Sequence, residues 1–164
     1  MIIKLIGSID EDMLKFFIKC VNILVNSKGL NKIQVLIHSG GGEALVGIAI
    51  VEYMRLFQEQ GIEFETVALG DCSSAATVIL ASGNIRKMTK ESWVMVHEDQ
   101  GDVAGNVTEM EVEIRQKRRL EDQWTRIFED ATRTDWRAWE RMNKSTTYLS
   151  ADECLFLGLI DEVI

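Results

Sequence analysis

Apolar positions along the chain fall into short dense runs separated by longer stretches in which they recur every three or four residues. Met1 to Gly7 is almost wholly apolar and predicts a buried strand. Glu11 to Val25 carries helical spacing, with Ser8 and Asp10 as candidate caps. Lys32 to His38 predicts a second strand, built on Ile33, Val35, Leu36 and Ile37. It is broken by Gly40-Gly41-Gly42. From Glu43 to Gln60, Leu45, Ile48, Ala49, Val51, Met54 and Leu56 mark a helix whose wetter face holds Glu52, Arg55 and Glu59. Phe64 to Leu69 predicts a third strand, and a short apolar helix opens at Ser74 and ends near Gly83.

Ile85 to Met88 and Trp93 to His97 predict two further strands, and the polar stretch 99–106 predicts a loop. Thr108 to Asp130 predicts a long charged helix, and a short one follows Asp135. Ser150 and Glu153 have the spacing of a capping box, and Leu159 to Ile164 predicts a last short strand. Strand and helix alternate three times in the first 80 residues, which favours an α/β fold with parallel strands and right-handed crossovers.

The length of 164 residues fits one domain, 1–164. A formal net charge of -8 argues against a nucleic-acid partner, because phosphate binding needs clustered Lys and Arg. No apolar run approaches the ~20 residues of a membrane span. No basic stretch followed by an apolar core marks a leader. Cys20, Cys72 and Cys154 are odd in number and dispersed, which fits reduced thiols in a cytoplasmic protein. Only two His are present, which argues against a His-rich metal site, and no cofactor motif is found. The chain has no proline, so glycine must set its sharp turns.

Two residues carry candidate chemistry. Ser74 lies among small residues in Gly70-Asp71-Cys72-Ser73-Ser74-Ala75-Ala76, between a strand and a helix. Its hydroxyl is expected near unpaired N–H groups and the positive end of the helix dipole, where an oxyanion is stabilised. His97 closes the strand Val94-Met95-Val96 and is a candidate base. The glycine run can turn backbone N–H groups towards an oxyanion. A phosphate loop is excluded, because no Gly-Lys-Ser/Thr follows and Glu43 would repel phosphate.

Four segments in order, Ile37-His38-Ser39-Gly40-Gly41-Gly42, Gly70 to Ala76, Val94-Met95-Val96-His97 and Tyr148-Leu149-Ser150-Ala151, resemble the ClpP family of self-compartmentalised serine peptidases. Gly158-Leu159-Ile160-Asp161 extends the resemblance to almost the whole chain. It implies a ClpP/crotonase-like fold of repeated β-β-α units, with a protruding handle at about 99–130. It also implies Ser74 as nucleophile and His97 as general base, with an oxyanion hole from the N–H groups of Gly41 and Ala75. Gly42, Glu43 and Ala44, within Gly41 to Leu45, would hold peptide substrate as an added strand. Stacked heptameric rings are implied, meeting through the handle and covering Met110, Ile114 and Trp124. A ClpX-, ClpA- or ClpC-type ATPase, or a ClpP paralogue, is the implied partner.

The chain departs from the family pattern at three places. The triad Asp is replaced by Thr146, with Asn143, Asp135 and Asp152 as alternatives for its role. The first strand begins at Met1, so the family's axial pore segment is expected to be missing. Glu98-Asp99 stands where the family has Gln-Pro, and Gly40 where it has proline. The main expectation is therefore a serine endopeptidase. A catalytically impaired ring subunit is the alternative, and a crotonase-like enzyme acting on acyl-CoA thioesters is the third reading.

Overall fold

The computed structural model describes residues 1–98 and 101–164. The expected loop and handle begin at Asp99, so their first two residues, with the Asp99 departure, lie outside the described residues. Seven strands form one sheet: β1 (Ile2–Ile6), β2 (Lys32–Ser39), β3 (Glu63–Ser73), β4 (Ile85–Met88), β5 (Trp93–Val96), β6 (Thr147–Ser150) and β7 (Glu162–Val163). Six α-helices accompany them: α1 (Glu11–Asn22), α2 (Ala44–Gln58), α3 (Ala75–Ala81), α4 (Val107–Ala131), α5 (Trp136–Lys144) and α6 (Ala151–Leu157). The main path runs β1-β2-β3-β4-β7 with parallel neighbours. β5 joins β3 in parallel and β6 pairs antiparallel with β5.

Alternation along β1 and β2 sends Ile3, Leu5, Ile33, Val35 and Ile37 into the core. Phe17 and Val21 of α1, and Ile50 and Met54 of α2, pack on that side. α3 is buried over its whole length, as its lack of charged residues dictates. α1 runs on into a π-helical turn at Ile23–Ser27, two residues past the expected end.

β3 is the main departure from expectation, continuing four residues beyond Leu69. Its first part pairs with β2 and β4, and Asp71 to Ser73 pair with β5. The change of partner needs a bend. Gly70 makes it with φ +74°, a conformation that side chains rarely adopt. The register with β2 jumps there, from Ile37↔Ala68 to Ser39↔Cys72. The ring of His38 braces the bend, its Nδ1 2.7 Å from the Leu69 carbonyl. β6 is an addition to the predicted elements, and β7 is shorter than predicted.

The C-terminal part of α4 buries Thr125, Ile127 and Phe128, whereas Val107, Val112 and Ile114 remain exposed. Trp124 corrects the expectation in one respect. It is half-buried against the chain's own core, because it sits on the seated part of the helix. α5 is held to α4 by stacking of Trp139 on Phe128, with ring centroids 4.5 Å apart. Trp139 Nε1 donates to Thr132 Oγ1 at 2.9 Å.

Charged groups tie the sheet's far end. Arg86 on β4 grips Asp161, with Nη2 2.6 Å from Oδ1 and Nε 3.0 Å from Oδ2. These bonds hold the Asp161 carboxyl below its ordinary range, overcoming its partial burial. A carboxylate with a depressed folded pKa stabilises the fold above its unfolded pKa, and that contribution is lost as pH falls through the folded value. Thermal unfolding of wild type should therefore lose stability below about pH 4, and Asp161→Asn should be less stable at pH 7 with a shallower acid decline. Equal slopes in the two proteins would contradict this.

Thr146 has φ +48°, an uncommon state for a β-branched residue. It follows the Ser145 cap of α5 and donates its N–H to the Asn143 carbonyl at 3.2 Å. A left-handed residue costs about 1–2 kcal/mol, and Asn tolerates that region better than Thr. Thr146→Asn should raise Tm by about 2–4 °C for each 1 kcal/mol recovered, read by differential scanning calorimetry.

Candidate active site

The β3–β5 register brings the two candidate catalytic residues together. Cys72 pairs with Val94 and Ser73 with Met95, and the Ser74 N–H then donates to the Met95 carbonyl at 2.8 Å. His97 lies two residues beyond Met95. Ser74 Oγ and His97 Nε2 are 2.9 Å apart. Ser74 itself is strained, with φ +51° and ψ -124°, at the sharp turn from β3 into α3. Such a turn lifts the hydroxyl clear of both elements and leaves it beside the helix N-terminus.

Nδ1 of His97 lies 2.5 Å from the carbonyl of Glu98. A carbonyl only accepts, so Nδ1 carries the proton and Nε2 keeps its lone pair for the Ser74 hydroxyl. The ring is thus in the tautomer of a general base.

The glycine loop packs directly on the serine. A Cβ on Gly41 would stand 2.6 Å from Ser74 Cβ, at a φ of +101°, so no larger residue fits without displacing the turn. The Gly41 N–H, expected as an oxyanion donor, points elsewhere: it donates to the buried Ser39 Oγ at 3.0 Å. Its carbonyl accepts from Ile9 N–H at 2.9 Å, and Glu43 N–H donates to the Ile9 carbonyl at 2.8 Å. Backbone groups alternate along an extended segment, so the N–H and C=O of Gly42 face away from Ile9. Gly42 lines the cleft that holds Ser74 and His97. Sequence reasoning assigned Gly42 to substrate backbone, and no sequence signal separates it from Gly41. The Ala75 N–H, at the first residue of α3, belongs to the set of donors with no partner inside a helix.

The cleft has a volume of about 990 Å³ and lies between the Ser74 turn and the seated parts of α4 and α5. Gly40, Gly42 and Ala44 form one wall, and Trp124, Trp136 and Asn143 line the other side with charged neighbours such as Arg126, Glu129 and Lys144. Glu43 and the exposed Leu45 lie outside this lining.

Thr146 does not line the cleft, and its Oγ1 makes no hydrogen bond to His97 among the described residues. The carboxylate alternatives are distant in role. Asp135 caps α5 and accepts from Arg137 N–H, and Asp152 is exposed in the first turn of α6. Asn143 alone of the alternatives lines the cleft. Cys72, two residues before Ser74, is fully buried, which pushes its thiol well above the ordinary range.

The family model for Clp protease matches residues 1–164. The match spans the strands, the glycine loop, the Ser74 turn and the C-terminal segment together, and the mixed α/β sheet is consistent with that family's fold. The chain belongs to the Clp protease family.

Proposed function

We propose that this chain is a serine endopeptidase that cleaves peptide bonds through Ser74 and His97. The observation that carries the reading is the 2.9 Å contact from Ser74 Oγ to a His97 Nε2 whose tautomer is fixed from behind. His97 Nε2 takes the Ser74 proton as Oγ bonds to the scissile carbonyl carbon. The tetrahedral oxyanion is met by the N–H groups of Ala75 and Gly42, with Gly41 providing the close packing that holds the serine beneath them. The carbon–nitrogen bond then breaks, and the imidazolium gives its proton to the leaving amine. Water, deprotonated by the same ring, releases the acyl group and restores Ser74. The open backbone edge at Gly42 suits an extended peptide, recognised by main chain more than by side chain.

The same reading extends to assembly in a chamber. The outer part of α4 exposes Val107, Val112 and Ile114, and Phe156 on α6 is 90% exposed, apolar surface that neighbouring subunits would cover. The chain would stack in rings through α4 and receive unfolded substrates from an ATPase. A catalytically impaired ring subunit is the second reading. It is favoured by one observation, that His97 Nδ1 meets a carbonyl and not a carboxylate. Loss of the charged partner costs up to ~10⁴-fold in rate in a comparable triad.

Intact mass after incubation with a fluorophosphonate separates the two. Wild type is expected to gain one adduct on Ser74. Ser74→Ala should gain none, and His97→Ala should label at least ~10²-fold more slowly. An unlabelled wild type supports the impaired subunit. Light scattering at micromolar concentration should show a mass many times 18.6 kDa. A clean monomer would remove the chamber.

A further inference from the structure

Asn143 is more than nine-tenths buried, at 9% exposure, yet its Oδ1 has no hydrogen-bond partner. A buried acceptor left unpaired destabilises a fold unless something else needs it. Asn143 also lines the cleft with Ser74 and His97. Its position is fixed from two directions. Trp139, one helical turn earlier on the same face of α5, is fully buried and stacked on Phe128. The Asn143 carbonyl accepts the Glu98 N–H at 3.1 Å, joining the end of α5 to the residue that follows His97. Glu98 in turn offers its carbonyl to His97 Nδ1. A short chain of bonds therefore runs from Asn143 through Glu98 to the catalytic ring, and the open Oδ1 stands at its head.

We propose that Asn143 is the positioning residue of His97, with its Oδ1 taking over the ring Nδ1–H from the Glu98 carbonyl as the imidazolium forms, in the role for which the family carries an acid. The inference rests on the reading of Ser74 and His97 as the reacting pair. A neutral amide oxygen orients the ring and fixes its tautomer, as a carboxylate does, but adds no charge to stabilise the imidazolium. The site is accordingly complete in geometry and modest in electrostatic drive. Thr146 is then a turn residue, which its left-handed backbone and its place outside the cleft both support.

The test is the rate of fluorophosphonate modification of the full chain from pH 5 to pH 9, by intact mass. In this reaction Ser74 Oγ bonds to phosphorus, the P–F bond breaks, His97 Nε2 takes the serine proton and fluoride leaves. Asn143→Ala should slow labelling at least ~10-fold while assembly mass is kept. Asn143→Asp, which keeps the shape and adds charge, should label at least as fast as wild type at high pH. Its acid limb should move to higher pH, because the charged partner favours the protonated ring, and the move should persist in 1 M salt. If Asn143→Ala does not fold, Asn143→Asp decides alone, and an unmoved acid limb overturns the proposal. So does Asn143→Ala labelling at the wild-type rate, or Thr146→Ala losing labelling while Asn143→Ala keeps it. An Asn143→Ala variant that labels normally but shows only a raised KM for peptides would make Asn143 a substrate contact and overturn it as well. If wild type itself is unlabelled, the Ser74–His97 reading fails and this one falls with it.

Discussion

The pairing of Asp71-Cys72-Ser73 with Trp93-Val94-Met95 is the contact on which the site depends. It fixes, to one residue, how far β5 runs beside the Ser74 turn. A parallel register slipped by one position would move His97 by roughly 3.3 Å along the strand and turn its side chain to the opposite face of the sheet. The hydrogen bond from Ser74 N–H to the Met95 carbonyl locks that register at its last rung. At the Gly70 bend β3 exchanges β4 for β5, while β2 stays beside it as far as Ser39↔Cys72. The bend at Gly70 thus decides whether Ser74 and His97 can meet.

The strain at Ser74 is sustained by its surroundings. The turn is held by β5 on one side, by the glycine loop packed on its Cβ, and by α3 leading away into the core. The loop has its own anchor in Ile9, which pairs with Gly42 in a single parallel bridge. Ile9 is completely buried, so its position is inherited from the core. The Ser74 turn is over-determined in this way, as a strained backbone conformation must be to persist.

Much of this was legible in the chain. The strands β1, β2 and β4, the glycine break, the long α4 and the Ser74 and His97 positions follow from hydrophobic period and turn chemistry. β3 was cut short because Gly70-Asp71 reads locally as an end, and only tertiary pairing carries a strand past it. β6 was hidden because Thr147–Ser150 is too short to show a period, and its order comes from β5. The Gly41 and Gly42 amides differ by which one meets the Ser39 hydroxyl, a matter of local dihedrals that residue types do not encode. Thr146 stands in the third catalytic place by resemblance to the family pattern, and its left-handed φ is a backbone feature that its residue type does not announce.

Cys72 gives the Ser74 turn a second potential nucleophile only two residues away. Complete burial keeps its thiol protonated, and Cys154, also buried, is pushed up to about 12. A thiol in that state neither attacks an acyl carbon nor reacts readily with peroxide. Half-buried Cys20, on α1 and outside the cleft, is the remaining thiol. Oxidants that act on thiolates would therefore find neither Cys72 nor Cys154 ready to react, and it is packing that keeps sulfur beside the Ser74 turn inert.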